Sequence, residues 1–388
     1  MGKEKIKSAI VCEAGCSEFA AKELEKKYGI KDCTLSESYV MFDADLDTLV
    51  KITYSSQSAK RVLIVIANGI IDKKIEELEK DISEKVTQQQ LNDLLNNQSF
   101  RINCERTGEH DFTSVDAEQT TGIELEKKVE GKEPVNLKNP DIYLYMNIQG
   151  KEYILGIDLA GRDLSKREYR LFSHPGSIKG TLAFALLMFS GYDKKNIIVD
   201  AFSLSGEIPI EAALFESNTP VNFYDKTMAL EKAKLFSNID VKKIIGDMDK
   251  KITKAKGNSL IKSFDVSFRN ISAQKKNAKI AGVEKHISFS RTDSHSVDLK
   301  LNEKIDILCS KIIEPSKNIN EKSVVRIYEE FFRNISAALK KKAVVTFIVR
   351  DPKLLLEESE KQGFKLVNKR TVFQGKQKFL FVKLSYGG

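Results

Sequence analysis

Apolar positions along the chain change rhythm twice. Near the start, KSAIVCEA and SYVMFDA read as short strands around a helix that carries Ala20, Leu24 and Tyr28 on one face. LDTLVKITYSS then predicts a helix and KRVLIVIANG a further strand, so residues 1–70 form a small α+β domain. From 71 to about 97 the pattern is polar and helical, with spaced Ile and Leu able to pack on a sheet. The strand FRINCERTG, a helix after SVDAEQTTG, and the paired strands of DIYLYMNIQGKEYILGIDLAG, turning at Gly150 and Lys151, complete a second α+β unit over 71–165. Beyond the connector RDLSKREYRLFSHPG, strands alternate with helices over 166–388, which predicts a mostly parallel sheet. SIKGTLAFALLMFSG is the first of those helices, with Ile178, Leu182, Ala185 and Phe189 on one stripe. The strands NIIVDAF, SLIKSFDV, HISFSRTD, KIDILCS and AVVTFIVRD follow, and KLVNKRTVFQGKQKFLFVKL closes the sheet as an antiparallel hairpin. The Lys- and Asp-rich stretch from Asn218 to Lys262 reads as an insertion into this third region.

Composition narrows the class. A length of 388 residues suits two to three domains, and 41% hydrophobic content gives each a core. No apolar run reaches the roughly 20 residues that span a bilayer, and MGKEKIKSAIVCEAG lacks a signal-peptide core, so a soluble, cytoplasmic protein is expected, with no membrane partner. The five cysteines are odd in number and scattered, as in a reducing compartment; Cys12 and Cys16 lack a second ligand pair, so no metal site is expected. A net charge of +8 favours a polyanion such as RNA as partner.

Candidate chemistry falls in two places. Around a sharp turn at Gly108, Arg101, Arg106 and His110 offer donors to phosphate, while Phe112 has two open roles, stacking on a base or filling a core. Lys166, Arg167 and Arg170 of the linker add to the same basic set; for each cation a surface ion pair is the competing role. The other place is VDAFSLSGEIPIEAAL, a strand, turn and helix of the kind that holds a nucleotide-like cofactor at a helix N-terminus.

FRINCERTGEHDFTS, VNLKNPDIYLYMNI and NAKIAGVEKHISF together resemble the THUMP-containing RNA methyltransferases that methylate guanine N2 in tRNA and rRNA. The resemblance runs from about Ala9 to Val382. It implies an α/β protein: a ferredoxin-like N-terminal domain (1–70), a THUMP RNA-binding domain (71–165), and a class I, Rossmann-like methyltransferase domain (166–388). It implies tRNA as partner, gripped at the acceptor stem and 3′ end, and S-adenosylmethionine as cofactor, held by Asp200, Ser205, Gly206, Asp265 (ribose hydroxyls) and Asp293 (adenine amine). For Asp265 and Asp293 an ordinary strand-end or capping carboxylate is the alternative role.

The chain departs from that pattern twice. Leu204 stands where the family has a glycine, bringing an isobutyl group to a turn that needs close backbone approach, and Glu207 adds negative charge beside it. After the fourth strand, where the family has Asn or Asp, two prolines and an aromatic, stand Lys311, Ile312, Ile313 and Glu314. An ammonium has three donors and no acceptor for an exocyclic amine. A shift of three residues would bring Glu314 and Pro315 into the motif, but Asp306 at the start of the strand opposes it. The expectation is therefore a tRNA-binding member without efficient methyl transfer, one that could serve as partner subunit to an active methyltransferase. The alternative is an active S-adenosylmethionine-dependent guanine-N2 methyltransferase with divergent motifs.

Overall fold

The computed structural model describes residues 4–129, 134–255, 259–293, 296–301 and 303–387. It divides into two compact units, one formed by Met1–Leu164 with Asn222–Lys250 and the other by Ser165–Val221 with Lys251–Gly388.

In the first unit, β1 (Ile6–Val11), α1 (Ser17–Tyr28), β2 (Thr34–Leu35), β3 (Tyr39–Ala44), α2 (Leu46–Ser55) and β4 (Arg61–Ile70) are followed by α3 (Ile75–Lys85), α4 (Gln88–Leu95), β5 (Phe100–Thr107), α5 (Ser114–Glu126), β6 (Ile142–Gln149) and β7 (Glu152–Asp158). All seven strands join one sheet in the order β2-β3-β1-β4-β7-β6-β5. The near-continuous apolar run of β4 fits its place between β1 and β7, where both faces are covered. The polar stretch 71–97 forms two helices, because Thr87 accepts from the Gln90 amide at 3.2 Å and starts α4 afresh. Likewise α5 begins at the first residue of SVDAEQTTG rather than after it, because the preceding Thr113 forms a capping box with Asp116. The hairpin turns at Gly150 as expected, with φ +57° and Gln149 opposite Glu152.

The segment Asn222–Lys250, expected as part of an insertion into the third region, clusters with this first unit. There Asn222 Nδ2 donates to the Thr53 carbonyl (3.0 Å), Gln98 Nε2 to the Lys232 carbonyl (2.8 Å) and the Tyr54 hydroxyl to Asp249 (2.8 Å).

The second unit opens with α6 (Gly180–Ser190), β8 (Ile198–Asp200) and α7 (Glu207–Ser217); α8 (Val241–Asp249) lies in the segment just assigned to the first. Then come β9 (Ile261–Asp265), α9 (Phe268–Ile280), β10 (Ile287–Arg291), β11 (Ile305–Lys311), α10 (Glu321–Ala338), β12 (Leu339–Val349), α11 (Lys353–Lys361), β13 (Phe364–Gln374) and β14 (Gln377–Tyr386). The sheet order is β10-β9-β8-β11-β12-β14-β13, with β14 antiparallel to both its neighbours. This is the class I methyltransferase arrangement.

Phe331, Phe332 and Ile335 of α10 pack with Val345, Phe347 and Val382 of the sheet, all fully buried. Each such side chain contributes about 1.5–3 kcal/mol. The edge strand β13 exposes Lys365, Lys369 and Arg370, charges that discourage pairing with another sheet. Strand order reverses between β8 and β11, so the carboxyl ends of those two strands, Asp200 and Lys311, flank the switch point where this architecture places ligands. Among the described residues no helix is long and apolar enough to cross a membrane.

Candidate functional site

The turn from β8 to α7 is held by bonds from several directions. Asp200 is buried; its carboxylate accepts from Ser310 Oγ (2.7 Å) and from the Phe202 amide (3.2 Å). Leu204 has the left-handed φ of +48°, which costs a side-chain-bearing residue about 1–2 kcal/mol. Two hydrogen bonds hold it there: its amide donates to Asp265 Oδ2 (3.0 Å) and its carbonyl accepts from Gln274 Nε2 (3.1 Å). Gly206, at φ +90°, has no such freedom, since a Cβ would lie 3.1 Å from Gln274 Cγ. Asn277 Nδ2 donates both to the Ser205 carbonyl (3.0 Å) and to the Phe172 carbonyl (3.1 Å), tying turn and linker to α9.

Asp265 was expected to accept from ribose hydroxyls. Its Oδ2 takes the Leu204 amide, while Oδ1 takes the Ser267 amide (2.8 Å) and Asn270 Nδ2 (3.0 Å). Ser205 Oγ accepts from the His174 amide (3.1 Å) and donates to Glu207 (2.9 Å). Asp293 is exposed and does not line the crevice around Asp200. That crevice, lined by Asp200, Leu204, Glu207 and Lys311 among others, encloses about 10 Å³. This is room for about one water molecule. In this conformation the residues do not fit S-adenosylmethionine.

Burial, reinforced by nearby Asp265 and opposed by the bonds from Ser310 and Phe202, raises the Asp200 carboxyl to about 7. In the unfolded chain it ionises near pH 4. Between those values the folded unit keeps a proton that the unfolded chain has lost, so this group's contribution to stability is complete below about pH 4 and disappears as pH rises toward 7. Chemical denaturation of wild type and Asp200→Asn between about pH 5 and pH 7.5 checks this: the wild type is expected to lose stability with rising pH more steeply than the variant. Parallel slopes would contradict it.

At the end of β11, Lys311 lines the crevice, and its amine is pushed below its ordinary range by burial and by Arg350, against the pull of Glu314. Ile312 is fully buried, and the Tyr328 hydroxyl donates to the Ile313 carbonyl. Glu314 Oε1 accepts the amides of Arg350 (2.8 Å) and Asp351 (3.2 Å), and Arg350 Nε lies 3.6 Å from Oε2. Glu314 is thus committed to the end of β12 and is absent from the crevice lining, which disfavours the three-residue shift. Asp306 lies at the start of β11, its carboxylate accepting the Ile197 amide (2.8 Å), so the spacing to Lys311 stands.

The basic set is dispersed. Arg106 and His110 do come together with Phe112: Arg106 Nη1 lies 2.8 Å from His110 Nδ1, His110 Nε2 lies 2.8 Å from the Gly150 carbonyl, and the guanidinium sits 5.6 Å above the Phe112 ring. The carbonyl needs hydrogen on Nε2, which leaves the Nδ1 lone pair for the arginine. Phe112 is buried, so of its two open roles it fills a core. Arg101 is exposed and donates to the Leu137 carbonyl (3.2 Å). β5 pairs with β6 residue for residue, so Arg101 and Arg106 point to opposite faces of the sheet and form no single cluster.

In the second unit Lys166 is exposed, but Arg167 and Arg170 are engaged. Arg167 Nε bonds Glu211 at 2.8 Å, both side chains being almost wholly buried, and the Tyr169 hydroxyl donates to the same carboxylate (2.9 Å). Arg170 Nε bonds Glu207 at 3.0 Å. The expectation of Arg167 as a phosphate contact is therefore corrected. Glu207 and Glu211 lie one turn apart on the buried, mostly apolar stretch of α7 that runs to Phe215, and two buried carboxylates require cations. That spacing was readable in EIPIEAAL; the roles of Gln274 and Asn277 carried no comparable signal.

Residues 167–380 match the family model described as RMKL-like, methyltransferase domain (UPF0020), and residues 76–158 match the THUMP domain. The chain is 28% identical over 381 residues to a tRNA (guanine(6)-N2)-methyltransferase of Methanocaldococcus jannaschii, covering 94% of this chain and 96% of that protein. A protein of the same name from Archaeoglobus fulgidus is 24% identical over 372 residues, covering 93% and 87%. Among solved structures, a possible methylase from Clostridium difficile 630 superposes with a TM-score of 0.80 at 19% identity, covering 99% of each chain. SMU.472, complexed with SAH, superposes with 0.78 at 20% identity, covering 100% of this chain and 99% of that one. These structural likenesses show the fold.

Proposed function

The chain belongs to the RMKL-like methyltransferase family and carries a THUMP domain ahead of the methyltransferase domain, and from that premise we propose that it serves the guanine-N2 methylation of tRNA. The observation that carries this reading is the match, over nearly the full length of both proteins, to a tRNA (guanine(6)-N2)-methyltransferase. The net charge of +8 and the exposed Arg101 and Lys166 support contact with a polyanion. In this reading the chain itself is an S-adenosylmethionine-dependent enzyme of the cytoplasm, and the turn at Leu204 moves aside to admit the cofactor.

A second reading is favoured by the crevice. Leu204 and Lys311 line a space of about 10 Å³, and Lys311 brings donors where an acceptor for the guanine amine belongs. Here the chain binds tRNA without efficient transfer and presents it to an active methyltransferase subunit.

One experiment separates the two. Purified chain is incubated with total tRNA and methyl-labelled S-adenosylmethionine, beside gel shifts at several salt concentrations. Multiple-turnover labelling of guanine N2 establishes the first reading. Salt-sensitive binding without label establishes the second. Failure to bind tRNA even at low salt would refute both.

A further inference from the structure

Beside the crevice, and sharing none of its lining residues, the second unit carries a groove of about 830 Å³. One wall is the linker stretch at Phe172 and His174; the other is α9 from Phe268 to Lys276. Phe268 is 74% exposed and Phe172 42%, and their sequence neighbours Val266 and Leu171 are exposed too. Large apolar side chains bared together mark a surface that something covers.

The charges define what. The ionisable groups along the groove are Arg269, Lys276 and His174, with no carboxylate among the described lining residues. On α9 the two cations lie two turns apart, about 10 Å along the axis, with the small Ser272 and Ala273 between them as a floor. Lys276 Nζ already sits 4.7 Å from the centre of the Phe172 ring, so a cation of α9 meets an aromatic ring of the linker across the groove. The N-terminus of α9 adds positive partial charge at the Phe268 end. Flat rings interleaved with cations are the chemistry that holds unpaired nucleotides, whose bases stack while their phosphates meet Lys and Arg. A volume in the usual ligand range of about 300–1,000 Å³ suits such an occupant.

We propose that this groove is a second RNA-binding site, in which the base of an unpaired tRNA nucleotide stacks on Phe268 and its flanking phosphates lie on Arg269 and Lys276. The inference rests on the reading of the chain as a tRNA-binding protein, but not on whether it transfers methyl groups.

The test uses the absence of tryptophan from the chain. Phe268→Trp introduces a single tryptophan at the groove, excited selectively beyond the tyrosine band, and Val367→Trp introduces one on exposed β13 as a control. Total tRNA is expected to quench the first and leave the second unchanged. Phe268→Ala is expected to weaken tRNA binding about tenfold, with Phe268→Trp retaining it. Arg269→Gln with Lys276→Gln is expected to reduce the steepness of log affinity against log salt by about 1.5. If tRNA binds but the fluorophore at 268 is not quenched and Phe268→Ala binds as the wild type does, the groove proposal is overturned while the tRNA reading stands. If the wild type binds no tRNA, the reading beneath it falls instead.

Discussion

In calorimetric titration, Leu204→Gly is expected to bind S-adenosylmethionine at least about tenfold more tightly than the wild type. The side chain removed lines the 10 Å³ crevice at the switch point, and glycine adopts the left-handed turn without the cost leucine bears there. The change leaves the bonds from Asp265 and Gln274 to the backbone of residue 204 in place, so the turn should keep its path while the space above it opens. Asp265 remains occupied by the Ser267 and Asn270 donors, which limits the gain. Equal affinities for the two proteins would refute the assignment of Leu204 as the obstruction. Micromolar affinity in the wild type would show that the turn opens unaided and would favour methyl transfer over binding alone.

Arg167→Ala is expected to destabilise the second unit by about 3–5 kcal/mol, because it strands the Glu211 carboxylate in an interior from which water is excluded. Thermal unfolding should show a midpoint lowered by on the order of 10 °C. The double variant Arg167→Met with Glu211→Gln should cost less than the single one: it removes both charges, fills the volume and leaves Tyr169 an acceptor. A single variant that loses less than about 1 kcal/mol would mean that the pair behaves as an exposed ion pair does. tRNA affinity of Arg167→Ala, measured well below its midpoint, should stay near the wild-type value, since the guanidinium is buried against α7.

Periodicity in the sequence sufficed for much of this fold. Alternation of strands and helices after 166 specified the parallel sheet, and the apolar runs flanking Gly150 specified the β6-β7 hairpin. The reading of 71–97 as one helical stretch did not separate α3 from α4, although the step of five from Val86 to Leu91 breaks the three-to-four apolar spacing where Thr87 caps α4. At the candidate site, Asp200, Ser205, Gly206 and Asp265 were identified by motif, and the structure gathers them around one turn. What the motif could not state is how those groups are satisfied. Asp265 is consumed by local backbone donors, and Gln274 and Asn277 reach the turn from a helix some seventy residues further on. The linker arginines show the same limit: a basic run specifies charge, whereas only the buried Glu207 and Glu211 on α7 specify where that charge goes.

The assignment of Asn222–Lys250 to the first unit means that the polypeptide passes between the units three times, after Leu164, after Val221 and after Lys250. Neither half is therefore a cassette that one cut could release. A gene fragment ending at Leu164 would encode a protein in which the hydroxyl of Tyr54 and the amide of Gln98 lose the acceptors now supplied by Asp249 and Lys232. Moving the THUMP-bearing unit into another protein would require carrying this distant segment along with it.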